Sequence, residues 1–146
     1  MAMYYFSSEE SVHRIGRGLM DLSLPKAEWT HAAHFAAALW FLRFRRCADP
    51  VAEMRQLIRT YNEATGVPNT DTDGYHETIT VASLRAARAT LSSYSLSIPI
   101  HAIVNELLTS PLGRSDWLLS YWSKNLLFSS KARREWVAPD LRPLPF

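Results

Sequence analysis

The sequence predicts an all-α fold, a single-domain bundle over residues 1–146 with about five main helices, short helices towards the C-terminal end and an extended proline-rich tail. Three observations lead there. Apolar residues recur at three- and four-residue spacing between recognisable start and stop signals. No segment sustains the alternation of a half-buried strand. Finally, Ala32, Ala33 and Ala36 to Ala38 followed by Leu39, Trp40, Phe41, Leu42 and Phe44 make one segment apolar nearly all round. A helix of that kind needs other helices on several sides, so it is placed at the centre.

Each element has its own signals. Ser7 and Glu10 fit a capping box for a first helix over about 8–22, with Val12, Ile15, Leu19 and Leu22 inward and Gly16 and Gly18 permitting close packing. Pro25 marks its end. The second helix starts at the N-cap Thr30, or one turn earlier at Pro25, and runs to about Arg46. Asp49-Pro50 opens a third helix that stops near Gly66, with Val51, Met54, Leu57, Ile58 and Tyr61 as its stripe. Val67 to Gly74 consists almost wholly of turn residues and reads as an ordered surface loop. A fourth helix follows from Tyr75 or Thr78 to Leu91. Pro99 opens a fifth, to about Thr109, with His101 facing solvent. Asp116–Tyr121 and Ser130–Val137 read as short helices separated by Ser123-Lys124-Asn125. The closing segment from Pro139 holds three prolines and is extended.

Composition excludes several classes. A chain of 146 residues buries about two-thirds of its unfolded surface and needs neither disulfide nor metal to stand. Sixteen basic against fourteen acidic residues leave a charge of +2, too little to argue for nucleic acid. The dense basic cluster Arg43, Arg45 and Arg46 is read as a solvated helix end, where cations complement the helix dipole. Cys47 is the lone cysteine, which excludes an internal disulfide and a cysteine-held zinc. The N-terminal stretch carries Glu9 and Glu10 where a secretory leader would be apolar, and the apolar run from Ala32 to Leu42 is short of the roughly 20 residues that span a bilayer. A cytoplasmic protein with no membrane partner is the expectation.

Chemistry concentrates in two stretches. In Trp29-Thr30-His31-Ala32-Ala33-His34, the histidines stand three apart and project from one helix face. Near the start of a central apolar helix their nitrogens need partners. The expected counterpart is Tyr75-His76-Glu77-Thr78, arriving from the loop-to-helix junction. Three readings stay open at this stage. In the first, His31, His34 and His76 ligate a divalent metal (Zn, Fe or Mn) with positions left for water or substrate. In the second, a metal-free pocket uses His76 or His31 as general base, with Glu77 orienting it or carrying the proton and Tyr75 donating from behind. In the third, the histidines are core residues bonded to backbone carbonyls, Tyr75 or Thr30. Around them, Glu28 joins the histidine face if the helix starts early, Tyr61-Asn62 is placed beside the loop, and Asp71 and Asp73 are read as local turn formers. Arg133 and Arg134 are placed to clasp an anion or to pair with Asp140 or Glu135. No phosphate loop, serine elbow or zincin motif occurs.

Leu24 to His34, with Tyr61-Asn62, Asn69-Thr70-Asp71, Gly74-Tyr75-His76-Glu77-Thr78, Ala132-Arg133, Trp136-Val137 and Pro139 to Leu144, resembles a family of short uncharacterised bacterial proteins. The resemblance covers most of the chain from Leu24 onward. It implies a bacterial cytoplasmic origin and assigns no reaction. On the residues alone, two functions compete: a small-molecule enzyme, such as a metal-dependent hydrolase or an oxygen-using enzyme, and a non-catalytic ligand-binding or protein-interaction module, including a homodimer. An apolar patch on the first helix or around Trp117, Tyr121 and Trp122 would favour the module.

Overall fold

A computed structural model describes residues 5–146; the first four residues of the expected domain lie outside it. Among the described residues the chain is helical with no strand. Five substantial helices come first: α1 (Glu9–Met20), α2 (His31–Phe44), α3 (Pro50–Ala64), α4 (Glu77–Ser92) and α5 (Ile100–Thr109). Two short ones follow, α6 (Lys124–Leu127) and α7 (Ser130–Arg134). Single 3₁₀ turns occupy Lys26–Glu28, Pro111–Gly113 and Trp117–Ser120.

α2 packs against α1, α4 and α5, the central position that its all-round apolar sequence requires. Ala33 and Phe35 to Phe41 are all buried. Small residues let its neighbours approach. Gly16 of α1 lies directly under the Trp40 ring, so that a methyl group at 16 would overlap it. The Trp40 indole in turn donates to His13 Nδ1 at 2.8 Å.

Caps set most helix starts. Thr30 Oγ1 accepts from the Ala33 amide at 3.2 Å, and Asp49 Oδ1 accepts from Ala52 at 3.0 Å with Pro50 at the first helical position. The first box is one residue later than expected: Ser8 caps α1 reciprocally with Ser11, so Ser7 and Glu10 are not the pair. Leu22 is exposed, with φ of +65°, because the helix has already ended at Met20. α5 has no local side-chain cap; Glu9 reaches across the fold to accept from the Ile100 amide at 3.1 Å.

Three further expectations change. Arg43 is not a free helix end: its Nη1 donates to the Ile98 carbonyl at 2.7 Å and holds the α4–α5 connector. His101 is half-buried, and its Nδ1 is enclosed without a partner. Ser123-Lys124-Asn125 is not a separator but the start of α6, capped by Ser123. Trp117 and Trp122 are buried and Tyr121 half-buried, so no apolar patch forms there. No described helix is long and apolar enough to cross a membrane.

Candidate functional site

His76 occupies the N-cap of α4. Its Nδ1 accepts from the Ile79 amide at 3.2 Å, so Nε2 carries the proton and donates to the Leu127 carbonyl at 2.7 Å. These two bonds fix a neutral tautomer and leave no lone pair free. Burial pushes its pKa below the usual imidazole value. A side chain so committed cannot ligate a metal or take a proton without giving up a cap.

Beside it, Glu77 is buried and faces Arg55 of α3, which binds it through two nitrogens at 2.9 and 2.8 Å. The Tyr75 phenol donates to the same carboxylate at 2.7 Å. Burial alone would raise the carboxyl pKa, but the Arg55 and Tyr75 hydrogen bonds outweigh it and hold the group below its ordinary value. Glu77 is therefore an anion locked in place. Burial, followed by the Glu77 carboxylate, raises Tyr75 above the ordinary phenol range, which keeps it a donor.

The first stretch divides. His31 Nε2 donates to the Leu112 carbonyl at 2.8 Å, joining α2 to the turn after α5, while its ring stands edge-on to Phe35. His34 makes no such bond among the described residues, and its side chain is exposed. It rests against Trp29 with ring centroids 4.0 Å apart. Together they form one wall of a notch between α2, α3 and α4, with Met54 and Ile58 on the second wall and Ile79, Thr80 and Ser83 on the third. The notch holds about 50 Å³, room for a water molecule or a small terminal group. The imidazole is open to solvent on one side and crowded on the others. That crowding, with His31 as the lesser cause, lowers its pKa to about 4, so the ring is neutral at pH 7.

The expected two-part centre is thus not assembled. Among the described residues no three His, Cys, Asp or Glu side chains are grouped to hold a metal ion, and His31, His34 and His76 do not converge. The physical reason is that His31 and His76 are each taken by a backbone carbonyl from a distant part of the chain, Leu112 and Leu127. Nearby residues also take unforeseen partners. Glu28 lies in the turn before α2 and pairs with Arg14. The Tyr61 hydroxyl donates to the Leu24 carbonyl, and Asn62 donates to Asn69. Arg134 pairs with Asp71, and Arg133 donates to the Gly74 and Tyr75 carbonyls, so neither pairs with Asp140 or Glu135.

Arg55, Thr80 and Ser83 belong around this site and were not singled out for it, and Trp29 was named only as the start of the histidine stretch. Trp29 had a signal, since it stands five residues before His34 where the chain turns into the helix. Arg55 had none, because its partner Glu77 is 22 residues away on another helix. No protein family, no curated protein and no solved structure matches this chain.

Proposed function

We propose that the chain is a small-molecule-binding protein that reads its ligand through His34, and that His31 and His76 serve the fold. The observation that carries this is the contrast between the three histidines: two have carbonyl partners, and the third keeps one N–H and one lone pair unclaimed beside an indole. His34 is exposed on its outer side and closes a largely apolar notch on its inner side, so its free nitrogens are left to solvent or to a ligand seated there. The volume of the notch limits what enters to a small terminal group. A hydroxyl or primary amide, able both to donate and to accept, matches a neutral imidazole with Thr80 and Ser83 close by. The apolar body of such a ligand would lie over Trp29.

A catalytic role for the same notch draws support from the Thr80 and Ser83 hydroxyls that line it. Against it stands the weakness of a base whose conjugate acid has a pKa of about 4, far from the operating pH that general bases need. The metal-dependent version has no ligand set among the described residues to rest on. Membership of the short bacterial family and a cytoplasmic location, on the support of the unpaired Cys47, belong to the same proposal.

The test is NMR of imidazole-labelled protein titrated with small alcohols and amides. Saturable shifts of the His34 resonances that vanish in Trp29→Ala are expected. Fragments that move the His31 or His76 signals and leave His34 unmoved would remove the proposal.

A further inference from the structure

Next to Tyr75 and Glu77 the surface opens into a second cleft of about 260 Å³, framed by Arg55 and Arg59 of α3 and by Arg133 and Arg134 of α7. Four guanidinium groups face two carboxylates there, Asp71 and Glu77, an excess of two positive charges. Each carboxylate is already engaged. Glu77 takes Nε and Nη2 of Arg55 at 2.9 and 2.8 Å, and Asp71 takes Nη1 of Arg134 at 3.1 Å.

What remains is a set of unused donors. Nη1 of Arg55 has no protein partner, because that side chain bonds through its other two nitrogens. Arg133 donates through Nη1 to the Gly74 and Tyr75 carbonyls at 3.0 and 3.4 Å, which leaves Nη2 without a partner, and its enclosed Nε has none either. Arg59 makes no ion pair among the described residues. Guanidinium groups gathered without enough counter-charge repel one another, and an anion among them relieves that cost.

We infer that this cleft binds the phosphate group of a small molecule. Two features favour a phosphate over a carboxylate. The free donors come from two helices, α3 and α7, that frame the cleft, and a tetrahedral oxyanion, accepting in several directions, can engage donors from both where a planar carboxylate suits a single fork. Two surplus positive charges also match the charge of a phosphate monoester near neutral pH. The inference stands apart from the His34 notch and does not depend on it.

The experiment is calorimetric titration of the full chain at constant ionic strength with inorganic phosphate, glycerol phosphate and acetate in parallel. Arg59→Ala and Arg134→Ala are the variants, since both side chains are exposed and neither holds a backbone carbonyl; circular dichroism establishes that each is folded. Saturable phosphate binding is expected, weakened at least about tenfold, or about 1.4 kcal/mol, by Arg59→Ala. Tighter binding of glycerol phosphate than of inorganic phosphate supports a phosphorylated metabolite as the ligand, and the reverse order supports free phosphate. Acetate binding as tightly as either, no saturation with any phosphate, or phosphate affinity unchanged in both variants overturns the inference.

Discussion

His76 carries the signs of a catalytic histidine and has a structural occupation. It stands after a turn-rich loop, between a tyrosine and a glutamate, yet both nitrogens serve the backbone. Replacing it by alanine deletes an N-cap and leaves the buried Leu127 carbonyl without its donor, a loss of about 2–3 kcal/mol measured by urea unfolding. His76→Asn keeps a capping oxygen and should recover part of that loss. A cost below about 0.5 kcal/mol for alanine, the level of an ordinary surface change, would contradict the capping role. Acid dependence follows from the same side chain. The buried His76 has a folded pKa below the 6.5 of a free imidazole, so the unfolded chain binds a proton first. Its contribution is complete above pH 6.5 and is lost as pH falls. Glu77, held below its ordinary 4.5, adds a second decline under that value. Urea midpoints from pH 8 to pH 3 should therefore fall in both windows, and His76→Asn should flatten the upper one. Sequence alone offered His31, His34 and His76 as equivalents, because residue type does not disclose which carbonyl lies within 3 Å of a ring.

At the scale of elements, caps and stripes were the readable part. Thr30 and Asp49 each cap the helix that their side-chain chemistry announces. Of the α3 stripe, Met54 and Tyr61 are buried and Val51, Leu57 and Ile58 are half-buried against the core. Two things were beyond local signals. α6 has four residues, too few to show a helical period. The α5 start is completed by Glu9, 91 positions earlier, and nothing near Pro99 reveals that. Packing between elements was visible in one place: a glycine on α1 opposite an aromatic-rich central helix. Gly16→Ala should cost about 2–3 kcal/mol, because its methyl group would collide with the Trp40 ring and push the α1–α2 crossing apart. Thermal unfolding checks it, and a neutral or stabilising result, as helix propensity alone would give, would show that the Trp40 ring moves aside freely.

For the whole molecule, the start of α4 is tied to the last quarter of the chain. His76 reaches Leu127, Arg133 reaches Gly74, and Asp140 takes the Ser123 amide and hydroxyl at 2.7 Å to hold the tail. The all-α class and the five main helices were legible because each is a sum of local tendencies. The divided site was not, since its shape depends on pairings more than fifty residues apart. Thr78 is the clearest of these: fully buried, it donates to the Glu135 carbonyl at 2.9 Å and accepts from the Val137 amide at 3.2 Å.

That double bond has a consequence in time. Contacts closing a loop of nearly sixty residues form late, because their closure entropy is offset only once the helices between them are in place. Thr78→Val keeps the shape and removes both bonds, so stopped-flow measurements should find faster unfolding with refolding hardly changed. A matching drop in the refolding rate would instead put the α4–α7 junction in the folding nucleus. With faster unfolding and unchanged refolding, the stretch around Glu135 and Val137 acts as a latch, setting how long the finished fold persists rather than how quickly it is reached.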